Sequence, residues 1–173
     1  MPDWLLALLQ RIFQAIADFI ARCIPVYDPS LWNDNNGIQF NNNCYNYACN
    51  MQTNTFAQPG RATGHEYTSI DCTSVGQGAQ SDGLVGTNCD EGCGCGKCCH
   101  LVALVIAPGP GFQDFHWYRR DRDGNWSHKP GVSPARNVDN SGNTITDPRT
   151  ADRGPYTQFC GCYCVCSGQV QIN

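Results

Sequence analysis

Apolar positions recur every three or four residues at the start of the chain and then change rhythm. Leu5, Leu8, Leu9, Ile12, Phe13, Ile16, Phe19, Ile20 and Cys23 predict an amphipathic helix over residues 4–24. Asp3 stands where an N-cap is needed, and Pro25 ends the helix because the residue before proline avoids helical angles. Its apolar face is expected to pack on the rest of the chain. The alternative is a docking or membrane-surface helix, weakened by the zero sum of Asp3, Arg11, Asp18 and Arg22. A polar loop rich in Asn and Asp follows over 26–43, and a short helix is predicted from Cys44, carrying Tyr47, Ala48 and Met51. From Gly60 to Gly96 no apolar run is long enough for a core element, so a long irregular loop held by cross-links is expected.

The unbroken run Leu101 to Ala107 reads as a central strand buried on both faces. Phe115 to Arg120 and Asn125 to Lys129 form the arms of a hairpin around Asp123-Gly124, and Phe159 to Val165 a last strand. The organisation predicted is an N-terminal helix over 1–25, then a single α+β domain over 26–173 with a Cys/Gly-rich loop at 72–99. A two-residue turn would pair Arg119 with His128 and set His116 and His128 on opposite faces. A three-residue turn ending at Gly124 pairs Tyr118 with His128, making the two histidines diagonal neighbours roughly 7 Å apart.

Composition narrows the function classes. The 173 residues carry a formal charge of -4 with no basic run, which excludes nucleic acid as the main partner. The only membrane-span candidate contains Arg11, Gln14, Asp18 and Arg22, and each central charge costs about 2.5–3.5 kcal/mol. No transmembrane segment is expected. No secretory signal is recognisable either, since the run Leu5–Leu9 lacks a preceding positive charge and is cut by Gln10 and Arg11. Yet 13 cysteines favour an oxidising compartment or secretion, and their odd number leaves at least one unable to pair within the chain.

A free thiol with a base is one use for that odd cysteine. Cys44 lies in Asn43-Cys44-Tyr45-Asn46-Tyr47-Ala48 at a loop-to-helix junction, His116 opens a strand, and His128 lies on the next. In this order the chain resembles the papain-like cysteine hydrolases, closest to the NlpC-type cell-wall peptidases. The resemblance covers residues 39 to 128. It implies an α+β fold with N-terminal helices packed on a small antiparallel sheet, and a cysteine-rich loop insertion foreign to the family. It also implies Cys44 as nucleophile, His116 as base and His128 as orienting group, acting on a peptide or amide substrate without a cofactor. Gln39 is the oxyanion-donor candidate, with Asn42 or Asn43 as substitutes; Asn125 and Asp121 are alternative orienting groups. The rival function is a non-enzymatic, disulfide- or zinc-stabilised interaction or structural protein.

Cys160, Cys162, Cys164 and Cys166 alternate along the last strand and are expected on one face, too far apart to bridge one another. Cys93, Cys95, Cys98 and Cys99 offer four partners. The same four, beside His100, are also the zinc-ligand candidates. If Cys44 is free, Cys23, Cys49, Cys72 and Cys89 form a remaining even set.

Overall fold

The computed structural model describes residues 2–34, 36–94 and 98–173. Helices α1 (Asp3–Cys23), α2 (Ile38–Asn41), α3 (Cys44–Cys49) and α4 (Cys72–Ser81) precede strands β1 (Val85–Thr87), β2 (Cys99–Pro108), β3 (Gln113–Arg120), β4 (Trp126–His128) and β5 (Gln158–Cys166). The five strands form one sheet in the order β1-β5-β2-β3-β4, every neighbouring pair antiparallel. The architecture is α+β.

β2 lies in the middle of the sheet and is buried on both faces, as its continuous apolar run requires. Val102, Leu104 and Ile106 face α3 and α4 in one core cluster with Phe115 and Trp117 of β3. Leu101, Ala103 and Val105 face a second cluster with Tyr118, Trp126 and Ile145, covered by the long segment between β4 and β5. The hairpin register pairs Tyr118 with His128, so the three-residue turn ending in Gly124 is the one adopted.

Three expectations are corrected. The segment from Gly60 to Gly96 is not wholly irregular, because it holds α4 and β1. α4 has little helical signature in the sequence, because Gly76 and Gly78 interrupt it and its hydrophobic stripe is short. Gly76 is there for close approach: a Cβ would come 2.5 Å from the Tyr163 hydroxyl of β5. α1 forms, but with Pro2 rather than Asp3 at its N-cap. Nor does any described apolar side chain of α1 belong to the core clusters. Trp4 is 68% and Phe13 69% exposed, with Leu8, Ile12 and Ile16 also open. A disulfide from Cys23 to Cys98 ties its end to the start of β2. No helix among the described residues is long and apolar enough to cross a membrane.

Candidate functional site

α3 is one and a half turns long, and its start is fixed by side chains. Asn43 is the N-cap: its Oδ1 accepts from the amides of Tyr45 (3.0 Å) and Asn46 (3.1 Å), while Asn46 Oδ1 accepts from the Asn43 amide (3.1 Å). This is a capping box with asparagine in both roles. Asn43 Nδ2 donates to the Ala57 carbonyl at 2.7 Å, so both ends of its amide serve the backbone. Cys44, the first helical residue, is 5% exposed and packs among the helix-face cluster. Burial, with the nearby Asp114, pushes the thiol up to about 12, against the smaller opposing pull of the Trp117 backbone and Lys129. Such a thiol stays protonated at neutral pH, opposite to the shift that activates a nucleophile.

On the other face of the sheet, His116 Nε2 and His128 Nδ1 lie 2.8 Å apart, so one neutral ring donates to the other. Tyr118 stacks on His128, and Tyr156 lies against His116. His128 Nε2 is 3.1 Å from both the Val138 carbonyl and Arg136 Nε. Burial lowers both histidines, His128 to about 4 and His116 well below its ordinary value, with Arg136 adding to each shift. The hairpin thus brings the two histidines together and holds both uncharged.

The remaining predicted positions are tied into the scaffold. Gln39, in α2, donates from its side chain to the Val132 carbonyl, and its own carbonyl accepts from Lys129 Nζ. Lys129 also donates to the carbonyls of Asn42 and Gly131, which anchors the approach to α3 on the residue that follows β4. Asn42 bonds Ile38 and Asn54. Asn125 holds the turn through Asp123. Asp121 pairs with Arg119 at 2.8 Å in full burial and accepts from Ser127. Arg119 also donates to the Tyr47 hydroxyl (3.0 Å) and Asn50 (3.0 Å), and lies over the Tyr47 ring. This network joins α3 to the hairpin, and no pattern in the sequence announces it.

The densest chemistry is the sulfur along β5. Cys160 bonds Cys72, Cys162 bonds Cys89, Cys164 bonds Cys93, and Cys166 bonds Cys99 directly across the sheet. The alternating cysteines do each find a partner elsewhere, but two of the expected partners differ. Cys72 and Cys89 take the places of Cys95 and Cys98, because Cys98 is bonded to Cys23. Cys95 lies outside the described residues. Nor do all four β5 cysteines share a face. The register with β2 shifts at Leu104/Val105 opposite Gly161, whose φ of +147° suits glycine, and this bulge reverses the alternation. Cys160 accordingly meets the helix-side cluster while Cys162, Cys164 and Cys166 meet the other. With Cys93, Cys98 and Cys99 in disulfides, the zinc arrangement is not the one adopted. Among the described residues no group of three or more His, Cys, Asp or Glu is arranged to hold a metal.

Cys49, at the end of α3, is 3% exposed and in no disulfide, and burial raises its thiol well above the ordinary range. It lines a cleft of about 400 Å³ together with Cys23, Cys98, His100 and Cys166. Sequence reasoning placed it only in an unassigned even set.

No family model matches the chain. No solved structure matches it. A curated protein named insoluble matrix shell protein 1, from Ruditapes philippinarum, is 51% identical over 140 residues, covering 80% of this chain and 88% of that protein. This finding overturns the resemblance to papain-like and NlpC-type enzymes. Short motifs around Cys44, His116 and His128 carried that resemblance, whereas the shared sequence spans most of both chains. The expectation of a peptide or amide substrate falls with it.

Proposed function

We propose, from the premise that this chain belongs to the family of insoluble matrix shell protein 1, that it is a secreted component of an extracellular, shell-associated matrix. The observation that carries this reading is the extended identity to a protein of that name. The chemistry agrees. Five disulfides among the described residues brace the domain, which is a cysteine-rich, disulfide-stabilised structural protein and belongs in an oxidising compartment. Cys44, held protonated, and the neutral histidine pair then serve as core, with the hairpin and α3 locked by hydrogen bonds rather than poised for acid–base work.

The test is location and extraction. An antibody against the chain is expected to detect it in the organic residue left insoluble after acid dissolves the shell mineral. Detection only inside cells, with its cysteines reduced, would overturn the proposal. A companion measurement is thiol labelling of the native protein at pH 7, where Cys44 is expected to resist iodoacetamide until the chain is unfolded. Rapid labelling of Cys44 in the folded protein would reopen a nucleophilic role.

A further inference from the structure

Cys49 and the Cys23–Cys98 disulfide border the same cleft, and the backbone explains why they are close. Ser167 donates to the Cys98 carbonyl at 2.8 Å, which extends the β2–β5 ladder by one residue before Cys99. Side chains therefore alternate through Cys98, Cys99 and His100. Cys99 points to the loop-covered face, toward Cys166. His100 points the other way and meets the Ala48 carbonyl at 2.7 Å, next to Cys49. Cys98 shares the face of His100 and sits about 7 Å further along the strand. The end of α3 and Cys98 thus reach one opening from two elements.

We propose that Cys49 is a thiol–disulfide exchange site that transfers the Cys23–Cys98 bond to Cys49–Cys98 and presents Cys23 for cross-linking between copies of this chain. In the first step the Cys49 thiolate attacks the Cys98 sulfur. A Cys49–Cys98 bond forms, the Cys23–Cys98 bond breaks, and Cys23 leaves as a thiolate that takes up the proton Cys49 lost. The chain holds as many disulfides afterwards as before, so no oxidant is consumed. In the second step Cys23 attacks the Cys23 sulfur of a second copy whose Cys23–Cys98 bond is intact. An intermolecular Cys23–Cys23 bond forms and the second copy's Cys98 leaves as a thiolate.

Two features direct the exchange to this bond. Cys99 and Cys166 are both buried and locked in paired strands, whereas Cys23 and Cys98 are only half-buried, outside the strands. Cys23 also ends α1, on which Trp4, Leu8, Ile12, Phe13 and Ile16 are exposed. Burial of Cys49, with Asp82 and Cys44 also raising its thiol against the opposing effect of Tyr45, keeps the step slow at neutral pH and makes it respond to alkali. The second step rests on the matrix reading above; the first does not.

The experiment is disulfide mapping of the full chain held at pH 6, 7 and 8, quenched with acid and alkylated before digestion. The Cys49–Cys98 peptide and alkylated Cys23 are expected to appear together. Their initial rate should rise about tenfold per pH unit, as the thiolate fraction does. Disulfide-linked dimers on a non-reducing gel should fall at least tenfold for Cys49→Ala, and should persist in Cys95→Ser. An intact Cys23–Cys98 bond at every pH, or equal dimer yield from a folded Cys49→Ala chain, would overturn the exchange. The mapping uses the unaltered chain, so the outcome does not depend on the variants folding. Exchange in a chain absent from shell residue would refute the matrix role alone, and presence there without exchange would refute this inference alone.

Discussion

The ladder of disulfides along β5 makes a quantitative prediction, because its loops overlap and neighbouring rungs close short circuits. Taken singly, Cys72–Cys160, Cys89–Cys162, Cys93–Cys164 and Cys99–Cys166 close loops with sequence separations of 88, 73, 71 and 67. Chain-entropy reasoning assigns each such loop about 4.5 kcal/mol. In the fully bonded protein, however, removing one rung frees only the chain between it and its nearest neighbour. Cys89–Cys162 lies within about 6 residues of chain of Cys93–Cys164, Cys99–Cys166 within about 8, and Cys72–Cys160 within about 19 of Cys89–Cys162. The same relation then gives about 2.2, 2.5 and 3.2 kcal/mol. Paired alanine variants (Cys89→Ala with Cys162→Ala, and likewise for the other two) should lose stability in that order. Guanidinium unfolding without reductant, followed by fluorescence of the buried Trp117, measures the loss. The slope with denaturant should also rise, since a less constrained unfolded chain exposes more surface. Equal losses near about 4.5 kcal/mol, or a greater loss for Cys89–Cys162 than for Cys72–Cys160, would refute the overlapping-loop argument.

Other perturbations test the polar core. Arg119→Met leaves Asp121 buried without its cation and should cost about 3–5 kcal/mol, lowering the thermal midpoint by roughly 10 °C; calorimetry reads it, and an unchanged midpoint would show that the network is dispensable. Acid should destabilise the protein through its buried histidines. His100 and His128 are held down to about 4 when folded, against about 6.5 unfolded, so the unfolded chain binds more protons between those values. Stability is then fully present above about pH 6.5 and falls toward pH 4 by up to about 1.4 kcal/mol per pH unit for each histidine. Unfolding curves across that window should show His100→Gln with a shallower slope, and an identical slope would remove His100 from the account. Gly161→Ala forces a side chain into a left-handed backbone and should cost about 1–3 kcal/mol in a denaturant titration. A neutral effect there would mean that the bulge relaxes.

The sequence by itself determined strands β2 to β5, the hairpin and the need for cross-links. An apolar run buried on both faces has one natural place in a sheet, and β2 takes it. Glycine at position 124 made the bulged turn available, and that turn brings His116 and His128 together. The α1 pattern was equally legible, but periodicity reports a helix and its stripe, not what covers the stripe. Tertiary structure decided the rest. Which cysteines bond depends on distances set by chain packing, and the bulge at Gly161 turns Cys160 to a different face from its neighbours. α4 packs where it does because Gly76 admits Tyr163 of β5 and Gly78 admits the Pro59 carbonyl, a condition invisible along the chain. The chemical state of Cys44, likewise, comes from its surroundings. A cysteine at a helix start, with histidines downstream, reads as a nucleophile until burial is known. In the folded protein the loss of water around the sulfur outweighs the helix amides, and the thiol keeps its proton.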